Sequence, residues 1–437
     1  MGAGYVENTP LAATMGPVPV ASGALVPAAS RGISMDLSYG SEYEQFRQEV
    51  RSFLEERWPP KGEGTPFEQA AADFREQAIE RGYLLRSIPK QYGGSEQAPD
   101  SLKAAVISEE FGRVRAPQDF GGIGPMMLVP TLLEKGESWQ KEKFVAKSVR
   151  GELKWCQGYS EPGSGSDLAS LKTRAELVGD EWVINGQKIW TTTAVEADWM
   201  FCLCRTESDV PKHAGISYLL IPMDQPGVEV RPLRQMTGGA DFNEVFMTDA
   251  RTPADHIVGK RGEGWLVSRA TLKHERNGIG NSARAAMMLH GLVALAKNSN
   301  RNGVLAIEDP EVRQRLVAIE GAIRSHEYSG YYQMTRGNKQ RDAGPLGMMN
   351  KIVSTNISHE VSKLALDLLG DEGLLDPTPD ERALARVPNE ARQWVTQYMY
   401  SLGIAVAGGT ANIQRNVVGE RGLGLPRDEW ASRSSGK

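Results

Sequence analysis

Tyr159 to Asp167 reads YSEPGSGSD and Asn185 to Thr193 reads NGQKIWTTT, and the interpretation of the whole chain depends on these two pieces. Pro162, Gly163 and Gly165 turn the first piece sharply, its serines offer hydroxyls and unhindered backbone N–H groups, and Asp167 can order the loop from within. That surface suits a flat cofactor with polar edges. The second piece leaves a strand at Trp182 to Ile184, passes an Asn185-Gly186 pair of the hairpin-turn type, and runs into Trp190 and Thr192. A large aromatic and a hydroxyl then stand on the same side of an extended segment. Taken singly, a Gly/Ser-rich turn signifies a loop and Trp190 a core aromatic; the pairing of the two pieces is the informative signal.

Outward from these pieces, the composition changes at about Gly151. The segments EWVINGQ, WMFCLCR, ISYLLIPM and VEVRPL, rich in Val, Ile, Phe, Trp and Thr and separated by Gly, Pro, Asp and Asn, predict an antiparallel β unit over 151–263. Before it, helical spacing recurs. In YEQFRQEVRSFLEERW, Phe46, Val50, Phe53 and Leu54 share one face until Pro59 and Pro60 stop the helix. Further helices are expected over about 67–82, 101–113, 122–135 and 137–149, making a helical first unit over 36–150. After Gly264 the pattern is helical to the end, with candidates at 265–298, 310–336, 347–369, 389–402 and 410–421, long enough for an antiparallel four-helix bundle over 264–437. The stretch 375–388, LDPTPDERALARVP, reads as an exposed loop.

A chain of 437 residues is large enough for several packed units. A net charge of −5 with mixed signs provides no basic patch for nucleic acid. Cys156, Cys202 and Cys204 are too few and too clustered for a disulfide framework, and Cys-x-Cys with no further Cys or His nearby makes a poor zinc site, so no metal is expected and a reducing cytoplasm fits best. No apolar run of about 18 residues is present, so no membrane span is expected. Residues 1–35, rich in Ala, Gly, Pro and Val without periodicity, read as a disordered arm. With Arg31 as its first cationic side chain, this arm is not expected to act as a targeting peptide.

Together the two opening pieces resemble the flavin-binding signature of the acyl-CoA dehydrogenase family, and the resemblance runs from about Asp36 to Pro426. It implies an α+β fold with an N-terminal helical domain, a central antiparallel β domain and a C-terminal four-helix bundle. It also implies FAD as cofactor. Tyr159, Ser160, Gly165 and Ser166 would contact FAD or the thioester, with Trp190 and Thr192 at the flavin's reactive edge. Thr410 and Asn412, in GTANIQR, match positions that meet the FAD adenine and pyrophosphate, although Asn412 replaces a longer Gln. Arg301 stands near an Arg that reaches a neighbouring subunit's FAD. Gly370, in DLLGDEG, stands at a FAD-contacting loop, but Asp367 and Asp371 bring acidic groups close to a pyrophosphate.

A dehydrogenase of this family removes an α-proton from an acyl thioester while the β-hydride leaves for the flavin, and the proton acceptor is a carboxylate tuned by partial burial. In many members that Glu lies in a Y-E-G-T segment; here the matching segment is Ala407-Gly408-Gly409-Thr410, so the usual base is missing. In the isovaleryl and long-chain branches the Glu sits just before an Arg on the helix that opens the C-terminal domain. LKHERNGIG places Glu275 and Arg276 there, which implies Glu275 as base and Arg276 beside the substrate. Residue by residue, the resemblance leaves Gly408 its backbone N–H to bind the thioester carbonyl, and its missing side chain leaves room for a branched or bulky acyl group. The implied partners are an acyl-CoA substrate, an electron-transfer flavoprotein and further copies of the chain in a homotetramer. The alternatives are a flavin monooxygenase or oxidase on the same fold, or a subunit of a heterotetramer.

Overall fold

Helix α1 (Ser41–Arg57) buries Val50, Phe53 and Leu54, the face its spacing predicts. Helices α2 (Phe67–Glu80) and α3 (Ser101–Val114) close on it, and the rings of Phe53, Phe74, Tyr83 and Phe111 meet at centroid distances of 5.1–6.4 Å. Asp100 starts α3 by accepting the Leu102 and Lys103 amides. Glu110 of α3 is 2 % exposed and accepts from Arg47, Arg51 and Arg113 at 2.8–2.9 Å, which cross-links α1 to α3. The computed structural model describes residues 40–59, 67–279, 282–338, 346–378, 384 and 387–426. The arm expected at 1–35 lies outside them, as does most of the loop expected at 375–388.

The helix expected over 122–135 forms over 123–135, but its ladder widens near its start. Residues Gly124–Leu128 form a π turn, in which the Val129 amide reaches back to the Gly124 carbonyl, and α4 (Val129–Lys135) follows. Pro130 has no N–H to donate, so the ladder ahead of it widens. Helix α5 (Ser138–Val149) completes this layer.

The strands are β1 (Trp155–Gly158), β2 (Arg174–Val178), β3 (Glu181–Thr192), β4 (Trp199–Arg205), β5 (Ile216–Pro222), β6 (Val228–Leu233) and β7 (Phe242–Pro253). They form a seven-stranded sheet ordered β1-β4-β2-β3-β7-β6, with β5 on β4. Pairing is antiparallel along most of it, but β1 and β2 both lie parallel to β4, which corrects the purely antiparallel expectation. The β2–β3 hairpin intervenes between β1 and β4 in sequence, giving the chain the long crossover that a parallel neighbour requires. One face of the sheet shares a core with the first helices, where Leu128, Leu132 and Phe144 meet Phe201, Tyr218 and Val267.

Where one helix was expected over 265–298, α6 (Gly264–Ile279) and α7 (Ser282–Asn298) flank residues 280–281, which lie outside the described set. The short strands β8 (Asn300–Arg301) and β9 (Val304–Leu305) pair around Asn302-Gly303, both at positive φ. Then come α8 (Pro310–Asn338), α9 (Leu346–Leu369), α10 (Ala391–Val406) and α11 (Ala411–Val417). Leu292, Val312, Ile323, Val361, Leu364 and Trp394 fill the bundle core. Among the described residues, no helix is long and apolar enough to cross a membrane.

Candidate functional site

The loop after β1 is built as a tight turn. Glu161 and Ser164 exchange backbone hydrogen bonds of 2.9 and 3.0 Å around Pro162-Gly163, and the Ser164 hydroxyl donates to the Asp167 carbonyl at 2.7 Å. Asp167 orders the loop as expected: its carboxylate accepts from the Ser170 hydroxyl, which in turn accepts from the Lys212 ammonium at 2.8 Å. The crest stays open. Gly165 and Ser166 are exposed, and a Cβ at Gly163 or Gly165 would meet nothing within 4 Å.

Asn185-Gly186 is not a hairpin turn. Strand β3 continues through it, and the β2–β3 turn lies earlier, at Gly179-Asp180, with Gly179 at φ 66°. Asn185 is held by Asp249, donating to its carboxylate and accepting its amide at 2.9 Å each, and a Cβ at Gly186 would come within 2.5 Å of Thr173. Tertiary pairing with β7 therefore overrides the local turn signal. The β3–β7 register slips at Ile184/Gly186 and again at Lys188/Thr191. The second slip is a bulge that places Trp190 at φ 60° and breaks the simple alternation, so that Trp190 points outward at 58 % exposure, Thr191 is buried and Thr192 is half-buried.

Two residues missed in the sequence tie the motif pieces together. The Lys188 ammonium, fully buried, donates to Glu161 Oε1 at 2.9 Å and to the Tyr159 carbonyl at 3.2 Å. Glu161 also accepts the Lys172 and Thr173 amides at 2.6 and 2.8 Å, and the Ile189 amide donates to the Ser160 carbonyl. Burial pushes the Glu161 carboxyl up, but Lys188 and the amide hydrogen bonds outweigh it and hold it below the usual carboxylate range. A signal existed: Trp182, Ile184 and Lys188 fall on the same buried phase of the strand, and a lysine there demands a partner.

Tyr159, expected to contact the cofactor, instead turns its ring into the core against Phe201 and Tyr218 at 5.9 and 6.3 Å, so its side chain is committed to packing. The remaining features fit a flavin. An exposed indole is held edge-on to Phe242 and an open Gly/Ser crest lies on the neighbouring loop, while behind the indole the buried Thr191 hydroxyl has no partner among the described residues. Such a surface offers ring stacking and free polar groups.

A second group gathers at the end of α10. Gly408 and Gly409 turn the chain at φ 59° and 90°, and the Gly408 N–H donates to no group among the described residues. The Gly409 carbonyl accepts from Lys351 at 2.9 Å, and the Gly408 carbonyl from Gln414 at 3.2 Å. Thr410 caps α11 by accepting the Ile413 amide, while Asn412 accepts from Arg415. One turn before Gly408, Ile404 lines a cavity of about 360 Å³, together with Met126 and Met127 of the π turn and Tyr400. Helix α6, which carries positions 275 and 276, packs on that π turn, on α4 and on β5. Thr271 of α6 shares a buried 3.0 Å hydrogen bond with Thr131. The side chains of Glu275 and Arg276 lie outside the described residues.

The other expected cofactor positions have local partners of their own. Arg301 pairs with Glu311 at 3.0 Å, and its Nη1 is buried without a partner among the described residues. Gly370 opens a short 3₁₀ turn at φ 56°, Asp371 is exposed, and Asp367 is neutralised by Arg315 at 2.6 Å. Among the described residues, no hydrogen bond or ion pair joins Arg301, Gly370, Thr410 or Asn412 to the Ser160–Asp167 loop. Cys156, Cys202 and Cys204 are free and buried, and no group of His, Cys, Asp or Glu among the described residues could hold a metal ion.

Comparison with known proteins converges on the same architecture. The sequence matches the family descriptions "Acyl-CoA dehydrogenase, N-terminal domain" over 40–152, "middle domain" over 156–250 and "C-terminal domain" over 262–423. It is 37% identical over 400 residues to "Acyl-CoA dehydrogenase IpdE1" of Mycobacterium tuberculosis, covering 89% of this chain and 99% of that protein. The protein of the same name from Mycolicibacterium smegmatis is 37% identical over 410 residues, with the same coverage. Among solved structures, the ChsE4-ChsE5 complex from Mycobacterium tuberculosis superposes with a TM-score of 0.70 at 27% identity, over 90% of this chain and 100% of the matched one. A structure titled "Tcur3481-Tcur3483 steroid ACAD" has the same scores.

Proposed function

The chain belongs to the acyl-CoA dehydrogenase family of FAD-dependent oxidoreductases, and from that premise we propose that it desaturates a bulky acyl-CoA thioester at its α,β bond with Glu275 as the base. The observation that carries this reading is the turn at Gly408: it holds no carboxylate, is held at positive φ, and leaves its N–H without a partner among the described residues, one helical turn beyond Ile404 of the Met- and Ile-lined cavity. FAD, when bound, supplies the hydride acceptor. Trp190, Thr192, Ser160, Gly165 and Ser166 would hold its ring system, and Arg301, Gly370, Thr410 and Asn412 its pyrophosphate and adenine side. The Gly408 N–H would bind the thioester oxygen and stabilise the charge that develops there as the α-proton leaves. Glu275 would take that proton from α6, the helix packed on the cavity's π-turn wall, with Arg276 beside the substrate.

Arg301, whose Nη1 is buried without a partner among the described residues, would reach the FAD of a second subunit, so that the pocket is completed by two chains. A homotetramer is the simpler assembly. The paired names carried by two structural relatives favour a second homologous chain in its place. The steroid named in one of those titles, together with the cavity volume, supports a ring-bearing or branched acyl group, and an electron-transfer flavoprotein is the proposed electron acceptor. Anaerobic addition of branched and ring-bearing acyl-CoA thioesters to the purified yellow protein tests the reading. Bleaching of the flavin band is expected. A flavin that no thioester bleaches, yet that NAD(P)H or a substrate plus O2 turns over, would establish the oxidase or monooxygenase alternative.

A further inference from the structure

Arg284, in the first turn of α7, reaches the wall of the 360 Å³ cavity. Its Nη2 donates to Gln397 Oε1 at 2.7 Å, its Nη1 donates to the Leu384 carbonyl, and its guanidinium carbon lies 5.5 Å from the centre of the Tyr400 ring. All three partners are neutral. Among the described residues no Asp or Glu pairs with Arg284, whereas Arg47, Arg51, Arg113, Arg301 and Arg315 each meet a carboxylate. Burial pulls its pKa below the ordinary arginine value, and Tyr400 acts in the opposite direction.

A guanidinium carries five N–H donors, and the two hydrogen bonds above leave donors free at the cavity wall. The Ser358 and Tyr400 hydroxyls line the same cavity and bond to no described residue. Ile123, Met126, Met127 and Ile404 supply its apolar lining, and Ser354 and Thr355 also border it. A desolvated cation with no counter-ion among the described residues, beside two hydroxyls that bond to none of them in a mainly apolar cavity, is costly unless a ligand supplies the missing charge. Guanidinium forks match carboxylates in geometry and bind them more strongly than they bind neutral oxygens.

We propose that Arg284 selects acyl groups that carry a carboxylate remote from the thioester, binding it in this cavity together with the Tyr400 and Ser358 hydroxyls. The proposal rests on the dehydrogenase reading of the same cavity. The class of substrate is then a CoA thioester of a dicarboxylic acid, of the kind left when a ring or a chain terminus has been opened by oxidation.

The test pairs ω-carboxyacyl-CoA thioesters with unsubstituted acyl-CoA thioesters of the same carbon count, on the FAD-loaded parent and on Arg284→Met and Arg284→Lys. Turnover is measured with an artificial acceptor, and binding by calorimetry. In the parent, the carboxylated member of each pair should bind more tightly. In Arg284→Met, its kcat/KM should fall by roughly 10- to 100-fold more than that of the unsubstituted member, the range of a hydrogen bond to a charged group, with most of the change in KM. Arg284→Lys should recover part of the difference, because charge is kept while the fork is lost. Equal losses for both members would mean that Arg284 only pins the Leu384 segment, and would overturn the proposal. So would a parent that prefers the unsubstituted members. If no thioester is dehydrogenated while the carboxylated series still binds more tightly through Arg284, the dehydrogenase reading fails and the recognition stands.

Discussion

The buried pair between Lys188 and Glu161 couples the β1 loop to the strand that carries Trp190, so its removal should damage both stability and cofactor retention. Lys188→Met removes the ammonium but leaves Glu161 with the Lys172 and Thr173 amides at 2.6 and 2.8 Å. Breaking one side of a buried ion pair costs about 3–5 kcal/mol, and those two amides put this variant near 3 kcal/mol. Glu161→Gln is worse, because its carboxamide oxygen can still accept from Lys188 but no longer supplies a counter-charge to that fully buried ammonium, and its NH2 would face the Lys172 amide, donor to donor; it should approach 5 kcal/mol. The double variant removes both charges, and its cost should fall below that of Glu161→Gln alone. Urea unfolding of the three FAD-free proteins measures these costs, and FAD retained through gel filtration reports the loop. Refutation would come from a double variant whose cost equals the sum of the two single ones, or from single variants that keep full FAD occupancy.

Trp190→Ala should cost little stability, since the ring is 58 % exposed, yet lose FAD; Trp182→Ala should lose about 3–5 kcal/mol of stability because its ring is buried and its indole N–H donates to Ala254. Equal FAD occupancy at matched folded fraction would sink the assignment of Trp190 to the flavin edge. Glu275→Gln should slow anaerobic flavin reduction by roughly 10²- to 10⁴-fold at unchanged FAD content, and a parental rate in stopped-flow would point to another base. Burial raises the Glu110 carboxyl, but hydrogen bonds from Arg51, Arg47 and Arg113 overcome it and bring the pKa from 4.5 to about 2. Because this folded-state value is depressed, the contribution is fully present above about pH 4.5 and is lost as pH falls toward 2. With Arg51 and Arg113 at 37% and 48% exposure, it is on the order of 1–2 kcal/mol. A Glu110→Gln protein whose acid unfolding midpoint matches the parent's would contradict this.

Much of the candidate site was legible at the level of motif and little at the level of orientation. YSEPGSGSD read correctly as an open turn ordered by Asp167, because its Pro, Gly and Ser act through local backbone geometry. Tyr159 belonged to the same motif, yet its ring went to the core, since only the packed neighbours Phe201 and Tyr218 decide which way a side chain at a strand end points. Of the two acidic groups near Gly370 that argue against a pyrophosphate, Asp367 is paired with Arg315, a contact between residues far apart in the chain, while Asp371 stays exposed.

Sequence alone determined the order of helical, β and helical segments and the family signature, because apolar periodicity and turn composition are short-range properties that each segment carries with it. Tertiary structure alone decided that Asn185-Gly186 runs straight through a strand, that a bulge turns Trp190 outward, and that Lys188 meets Glu161 in the core. Each of these outcomes depends on partners distant in sequence: the ladder to β7, the buried phase of β3 and the carboxylate of another loop. Hydrogen bonds and charges taken out of water are worth more than a local turn preference, so the long-range partners prevailed.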